Sequence, residues 1–298
     1  MASRILISGS SGLIGAALLP SLAAQGYEIT RLVRGVPSGE SQIHWDPLQP
    51  LRPEAVSGFD AVVHLAGETI ANRWTPARKA QIRESRVQGT RHIAQALAKT
   101  SQRPRVFISA SAIGFYGDRG DEVLREDSLP GSGFLSEVCG AWEAATQPAA
   151  DAGIRTVQIR TGVVLSSRGG ALPKMLPPFK MGAGGRLGGG RQWMSWIDLE
   201  DVVGAVHHIL QNNTVQGPLN LVAPSPVTNA EFTKTLAAVL SRPAIFPLPA
   251  FAVRLMFGEM GEELLLGSQR AEPAKLVASA YTFRFGELKA SLEHVLAR

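Results

Sequence analysis

The sequence predicts an α/β protein: a doubly wound parallel sheet followed by a smaller C-terminal lobe. Short apolar runs alternate with helix-length segments as far as Leu165, and a glycine-punctuated turn joins the first run to the first helix. Beyond Leu165 the texture becomes rich in glycine and proline. Strands separated by helices of this length pair in parallel through right-handed crossovers, with helices covering both faces.

The elements follow in order. Arg4 to Ser8 is a short apolar strand, and Ile14 to Gln25 is helical in pattern and closed by Gly26. Glu28 to Val33 and Ala61 to Leu65 are further strands, and Thr75 to Lys99 is a long helix with Pro76 in its first turn. Val106 to Ser109 is another buried strand, and Leu135 to Ala152 reads as one helix ended by Gly153. Thr156 to Arg160 is a strand, with Val163 to Leu165 as its continuation. Residues 166 to 192 hold eight glycines and three prolines and read as a long mobile segment. A helix from Leu199 to Gln211 and a strand at Leu219 to Val222 rejoin the first sheet. From Thr228 onward, two or three helices enclose Phe246-Pro-Leu-Pro249. The expected division is a nucleotide-binding domain over 1–168, joined by about 196–225, with 169–195 and 226–298 as the smaller, substrate-side lobe.

Composition narrows the function. The 298 residues are 45% apolar and 18% charged, which excludes bulk disorder. One cysteine, Cys139, excludes an intrachain disulfide framework and a cysteine-built zinc site. The net charge is +5 and the pI about 9.6, with arginine supplying 23 of the 30 cations. Planar guanidinium groups suit phosphate, but no long basic stripe with interleaved aromatic residues marks a nucleic-acid surface. The first residues show no targeting pattern and no apolar run is long enough to span a bilayer. The expectation is a cytoplasmic protein whose partner is a small molecule, with neither nucleic acid nor membrane.

The strongest local signal is Gly9-Ser-Ser-Gly12-Leu-Ile-Gly15, directly after the first strand and opening the first helix. In that position Gly9 permits a tight turn, Gly12 lets backbone approach a pyrophosphate, and Gly15 permits close helix packing. The helix N-terminus offers unpaired N–H groups to the anion. About 20 residues beyond such a turn, a carboxylate favours NAD. Here the second strand ends Val33-Arg34 with no carboxylate, and a guanidinium suits the 2′-phosphate of NADP(H).

Several further stretches carry a resemblance. His64-Leu-Ala-Gly67, Ser109-Ala-Ser111 with Tyr116-Gly117, and the glycine turn resemble an extended short-chain dehydrogenase/reductase with a Rossmann-like fold. Arg73-Trp-Thr75, Ser85-Arg-Val87, Arg160-Thr-Gly-Val-Val-Leu165, Pro178-Phe-Lys180 and Gln192 to Asp201 narrow it to the atypical epimerase-like subgroup. Members of that subgroup are often called nucleoside-diphosphate-sugar epimerases by analogy. The resemblance implies NADP(H) at the C-terminal edge of the sheet. Gly9, Ser11, Gly12, Leu13, Ile14 and Gly15 would hold its diphosphate side, with Val33 and Arg34 at the adenosine end. Leu65, Ala66, Gly67, Arg86, Ser109 and Val164 complete the expected cofactor-binding set.

In the wider family a Ser polarises the substrate, a Tyr exchanges the proton, and a Lys in Tyr-x-x-x-Lys spacing lowers the Tyr pKa. The cation matters because a free phenol, with pKa about 10, is a poor base at neutral pH. Ser111 matches the serine, but the dyad position reads Phe134-Leu-Ser-Glu-Val138. Two readings follow. In one, an NADP(H)-dependent oxidoreductase or epimerase-like enzyme uses Ser111 as hydrogen-bond donor, with Arg86 or Tyr116 as electrophile or acid. In the other, the chain is a catalytically weak or inactive NADPH-binding sensor. Lys79, Arg83 and Arg86 share one helix face by spacing, and Glu68, Asp118, Glu137 and Cys139 are proton carriers of lower rank. The adjacent His207 and His208 point to different faces and form no metal pair, so no metal is expected.

Overall fold

In the computed structural model, which describes residues 3–297, a seven-stranded parallel sheet forms the centre of the chain. The elements run β1 (Arg4–Ser8), α1 (Leu13–Ala24), β2 (Glu28–Val33), β3 (Gln42–His44), β4 (Ala61–His64), α2 (Pro76–Lys99), β5 (Val106–Ala112) and β6 (Val123–Leu124). There follow α3 (Phe134–Ala144), α4 (Gln147–Asp151), β7 (Arg155–Thr161), β8 (Val163–Leu165), α5 (Leu172–Lys180), β9 (Trp193–Met194), β10 (Trp196–Asp198), α6 (Leu199–Gln211) and β11 (Gly217–Leu221). The remainder is β12 (Val227–Thr228), α7 (Asn229–Leu240), α8 (Ala250–Phe257), α9 (Glu259–Gly261), a π-helical turn (Glu262–Leu266), β13 (Arg270–Ala271), α10 (Ala274–Ala278) and α11 (Leu288–Leu296). The sheet order is β11-β7-β5-β4-β1-β2-β3, the doubly wound arrangement expected of the fold class.

Strand alternation builds the two layers. Ile5, Ile7, Val63 and Ile108 face α1 and α6, where Leu18, Leu22, Val202 and Val206 close the core. Leu6, Val62 and Phe107 face the other way, onto Ile93 and Leu97 of α2 and Ala149 of α4. Both faces being covered, the strands read as nearly continuous apolar runs.

The expected single helix over 135–152 is two. Pro148 has no N–H to return to Ala144, so α3 ends there. Thr146 spans the break, its hydroxyl donating to the Glu143 carbonyl at 2.7 Å and accepting from Gln158 Nε2 at 2.8 Å. Residues 163–165 leave the main sheet and pair with β10. Gly162 allows the turn-off, because a Cβ there would sit 2.6 Å from the Ser195 carbonyl oxygen. The segment read as mobile contains α5, whose Leu172, Leu176 and Phe179 are buried against Phe232 and Leu236 of α7. More helices than expected follow Thr228, most of them too short for periodicity to reveal.

Two polar ties lock the layers. His64 is enclosed, its Nδ1 2.5 Å from Ser8 Oγ and its Nε2 2.9 Å from Thr90 Oγ1. Trp142 Nε1 donates to the same Thr90 oxygen at 2.8 Å, so β1, β4, α2 and α3 meet at one cluster. The second tie caps α3 from far along the chain. Gly133 supplies no side-chain cap, and the Glu263 carboxylate accepts instead from Phe134 N at 2.8 Å and Leu135 N at 2.9 Å.

Glu263→Ala strips two orphan N–H groups of an anionic partner at a helix N-terminus. It should cost about 1–2 kcal/mol in urea unfolding, and Glu263→Gln, which keeps one acceptor oxygen, should recover at most part of that loss; an Ala variant as stable as the parent would show that the carboxylate is not the cap. Burial drops the His64 pKa from 6.5 to about 3. The unfolded chain therefore binds this proton below about pH 6.5 while the folded chain does not until about pH 3. The contribution is complete above pH 6.5 and is lost as the pH falls through that window. Urea midpoints measured from pH 7 to 4 should fall less steeply in His64→Asn than in the parent, and parallel slopes would refute the assignment.

Candidate active site

The glycine turn is built by backbone contact. Gly9 has φ +71°, and a Cβ there would lie 2.6 Å from the Leu65 and Ala66 backbone, so the turn is pressed against the end of β4. Gly15 is buried with its Cα against the Gly9 carbonyl, where a Cβ would come within 2.3 Å. Gly12 N donates to Gly9 O at 3.0 Å and closes the turn. A Cβ on Gly12 would meet only the Gly9 oxygen, at 3.3 Å, so its outer side is open. Gly12 caps α1 without a side chain, which leaves the first N–H groups of the helix facing outward. Ser11 and Gly12 are exposed and Leu13 and Ile14 half-buried.

Other expected cofactor residues gather on this rim. Ser8 pairs with Leu32, so Val33 and Arg34 emerge beside the turn. Arg34 is exposed and makes no ion pair or side-chain hydrogen bond among the described residues. Gly169 and Gly170 lie against Leu13, and the Val164 carbonyl is 3.5 Å from a Cβ placed at Gly170. Leu65, Ala66 and Gly67 follow β4, and Gly67 faces the Arg86 guanidinium, 3.3 Å from its would-be Cβ. This cradle fits a dinucleotide diphosphate: an open glycine, a helix start with free N–H groups and an unpaired guanidinium at the far end. Ser109 is the exception. It is fully buried, its hydroxyl reaching only the Ala110 carbonyl at 3.4 Å, and it offers no surface to a ligand.

Arg86 stands where β4 and α2 meet. Its Nη1 donates to the Ile82 carbonyl at 3.2 Å and its guanidinium lies 5.0 Å from the Trp142 ring centroid. It has no carboxylate within ion-pair distance among the described residues. Burial lowers its pKa, with Cys139 and Glu68 opposing and Arg78 adding to the effect. The other cations of that helix are occupied or turned away. Lys79 pairs with Glu259 at 2.7 Å and covers the Phe134 ring at 4.5 Å, and Arg83 is exposed.

Ser111 belongs to a buried network that sequence reasoning missed. Its hydroxyl donates to Glu143 Oε1 at 2.7 Å. Arg160, in register with Ser111, grips the same carboxylate through Nε at 2.8 Å and Nη2 at 2.9 Å. Burial works against the Arg160 charge, but the hydrogen bonds and charge of Glu143 outweigh it and its pKa rises. The signal was present: an arginine inside the apolar strand Thr156-Val-Gln-Ile-Arg160 requires a buried acceptor. Glu143 itself carried no spacing to mark it.

Tyr116 sits at the far end of this network. It is fully buried, and its hydroxyl meets Asn220 Oδ1 at 2.7 Å, the Arg125 carbonyl at 2.9 Å and Arg160 Nη1 at 2.9 Å. Burial raises its pKa, and the nearby Arg160 opposes that shift. With its oxygen surrounded, Tyr116 has no open path to a substrate, contrary to the acid–base role expected for it.

The dyad position is apolar in its surroundings as well as its residues. Phe134 packs edge-on to Trp74 with centroids 5.0 Å apart, and Phe134 and Val138 are buried with Ile82, Leu135 and Met260. Cys139 is buried and its thiol is pushed up to about 12, chiefly by burial and then by Glu143, so it is a packing residue. Glu68 is paired with Arg78, Asp118 accepts from Gly120 N and Ser268 N, and Glu137 is exposed. His207 and His208 bond separately to Ser21 and Ser279, and no metal-holding cluster occurs among the described residues.

The comparisons agree with this geometry. Residues 5–221 match the NAD dependent epimerase/dehydratase family, and residues 248–295 match a domain of unknown function, DUF1731. An epimerase family protein of Mycobacterium bovis is 43% identical over 296 residues, covering 99% of this chain and 98% of the relative. The epimerase family protein SDR39U1 of Homo sapiens is 39% identical over 301 residues, covering 99% of this chain and 100% of the relative. A crystal structure of the human protein with NADPH superimposes with a TM-score of 0.91 at 37% identity, covering 99% of both chains. With its glycine turn, sheet order and end-to-end relatives in agreement, the chain belongs to the NAD dependent epimerase/dehydratase family.

Proposed function

We propose that the protein binds NADP(H) and acts as an oxidoreductase or epimerase-like enzyme on a small molecule, with residues 169–195 and 226–298 forming the substrate-side lobe. The observation that carries this reading is the cradle itself: open Gly12, the uncapped start of α1 and unpaired Arg34 in one line along the sheet edge. It is supported by the NADPH in the related human structure. The diphosphate would rest on Gly9 to Ile14 and Gly15 would hold the turn closed, while Val33 and Arg34 take the adenosine 2′-phosphate. Leu65 to Gly67 and Val164 would line the remaining cofactor edge. The bound cofactor supplies hydride chemistry, and the chain supplies position and electrostatics.

The polar work at the reacting end falls to Arg86 and Ser111. Arg86 has one hydrogen bond, to the Ile82 carbonyl, and no carboxylate partner among the described residues, so its remaining donors suit a carbonyl oxygen or an anionic group of the substrate. Ser111 gives its proton to Glu143, so in place of the donor role expected for it, its oxygen would accept from a substrate hydroxyl. Tyr116 and Ser109 are not assigned ligand contacts. A second reading, a catalytically weak NADPH-binding sensor, draws on the packing of Phe134 and Val138, which fills the dyad position with hydrocarbon.

Arg34→Ala should weaken NADPH by about 1.5–3 kcal/mol, the range for a hydrogen bond to a charged group, and leave NADH nearly unchanged. Tryptophan quenching titrations check this, and equal losses for both cofactors would end the 2′-phosphate assignment. For catalysis, NADPH oxidation is screened against sugar nucleotides, ketones and quinones. Turnover that falls about 10²-fold in Arg86→Ala while NADPH still binds supports the enzyme; tight NADPH binding without turnover across the panel supports the sensor.

A further inference from the structure

The surface around α8 gathers most of the exposed large apolar side chains among the described residues. Among the described residues, ten large apolar side chains are prominently exposed, and six of them belong to this surface: Met181, Ile245, Phe246, Phe251, Leu255 and Met256. They are 57–75% exposed, except Leu255 at 76%. Only Val253 of α8 is buried, so most of this eight-residue apolar helix has no partner.

Two chain segments carry the exposed apolar side chains, and neither contains an acid. Residues 169–192 carry Lys174, Lys180, Arg186 and Arg191 with no Asp or Glu, and all four are exposed. Residues 232–258 carry Lys234, Arg242 and Arg254 with no Asp or Glu, again all exposed. Backbone bonds stitch the segments together: Phe246 N to Gly184 O at 3.2 Å and Leu248 N to Arg186 O at 2.9 Å. Acids enter from the adjoining residues: Glu262 pairs with Arg254 of α8, Glu259 pairs with Lys79, Glu263 caps α3 and Glu231 caps α7.

We propose that this face docks on an anionic lipid surface, with α8 and the Ile245-Phe246 loop entering the interface and the surrounding cations meeting the headgroups. Exposed Phe, Leu and Met on a short helix, with exposed Lys and Arg on the adjoining segments, fit a helix that lies in an interface. Apolar patches of this kind mark interaction sites on soluble chains. A second copy is the poorer occupant, because an isologous contact sets the same patch against itself and brings like charges together. The expectation of no membrane partner rested on the lack of a span. No helix among the described residues is long and apolar enough to cross a membrane, and α8, about 12 Å long, need only lie on one.

The test is co-sedimentation of the full chain with vesicles of phosphatidylcholine alone or with added phosphatidylglycerol, at low and high salt. Binding should require the anionic lipid and weaken with salt. Lys180→Gln should reduce it about fivefold, and the double variant Phe251→Asp, Leu255→Glu should abolish it. These side chains are exposed, so the variants should keep the parent melting temperature and NADPH affinity, which separates this result from failure of the cofactor reading. The proposal is overturned by absence of binding to the anionic vesicles, or by equal binding of parent and double variant. It is also overturned if light scattering shows a dimer, without vesicle binding, that the double variant dissolves, or if vesicle binding is absent while an acidic protein binds the face.

Discussion

The contact on which the site depends is backbone against backbone: the Gly9 turn pressed on the end of β4, with α1 pressed in turn on Gly9. No side chain fits at Gly9 or Gly15 without displacing main chain, so the distance between the first helix and the sheet edge is set by two missing Cβ atoms. That closeness leaves the uncapped start of α1 beside Leu65 and Ala66, and carries Val33 and Arg34 onto the same rim through the β1–β2 register. An anion there meets N–H groups already oriented by the fold, which reduces the cost of ordering them on binding.

The reacting end proposed for this chain is organised on a different principle. Instead of a tyrosine and lysine on one helix, it has a buried carboxylate shared by a serine and an arginine, and an unpaired arginine arriving from α2. Glu143 and Arg160 compensate each other in the interior, and breaking such a pair costs about 3–5 kcal/mol. The pair therefore acts first as a strut between α3 and β7, and its second effect is to orient Ser111. Lys79 approaches the Phe134 ring from another helix, but phenylalanine has no proton for that cation to release. Cation and ring together with Trp74 and Met260 form packing rather than an acid–base pair.

Much of the fold was legible because its signals are local. The glycine turn, Pro76 at the start of α2, Gly26 after α1 and the bounds of α6 are each written within a few residues. The composite site was less so. Arg86 and Ser111 could be named from motifs, whereas Tyr116 looked available until Asn220, Arg125 and Arg160 were seen around its hydroxyl. Those partners lie up to 104 positions away in the chain, and no spacing rule connects them. Glu263 is the same case, capping a helix 129 positions earlier. The glycine-rich stretch misled for another reason: composition suggested mobility, yet apolar residues at 172, 176 and 179 bury one face of α5 against α7.

Charge gives the last step. Most arginines that enter the interior are matched, as Arg160 is by Glu143, or bonded to carbonyls, as Arg155 is to Val215 and Ile209. Arg86 is less fully matched, with a single carbonyl and no carboxylate among the described residues. It is half-buried, its charge is opposed by burial, and its one hydrogen bond is to its own helix. The cost of partly burying that charge is offset within the chain by the Trp142 ring and the Ile82 carbonyl, and a ligand would add to that. A ligand oxygen arriving between Gly67 and Trp142 would complete the guanidinium's contacts and relieve that cost, so binding and local stability would rise together. At Arg86 the demands of folding and those of the proposed ligand would therefore coincide.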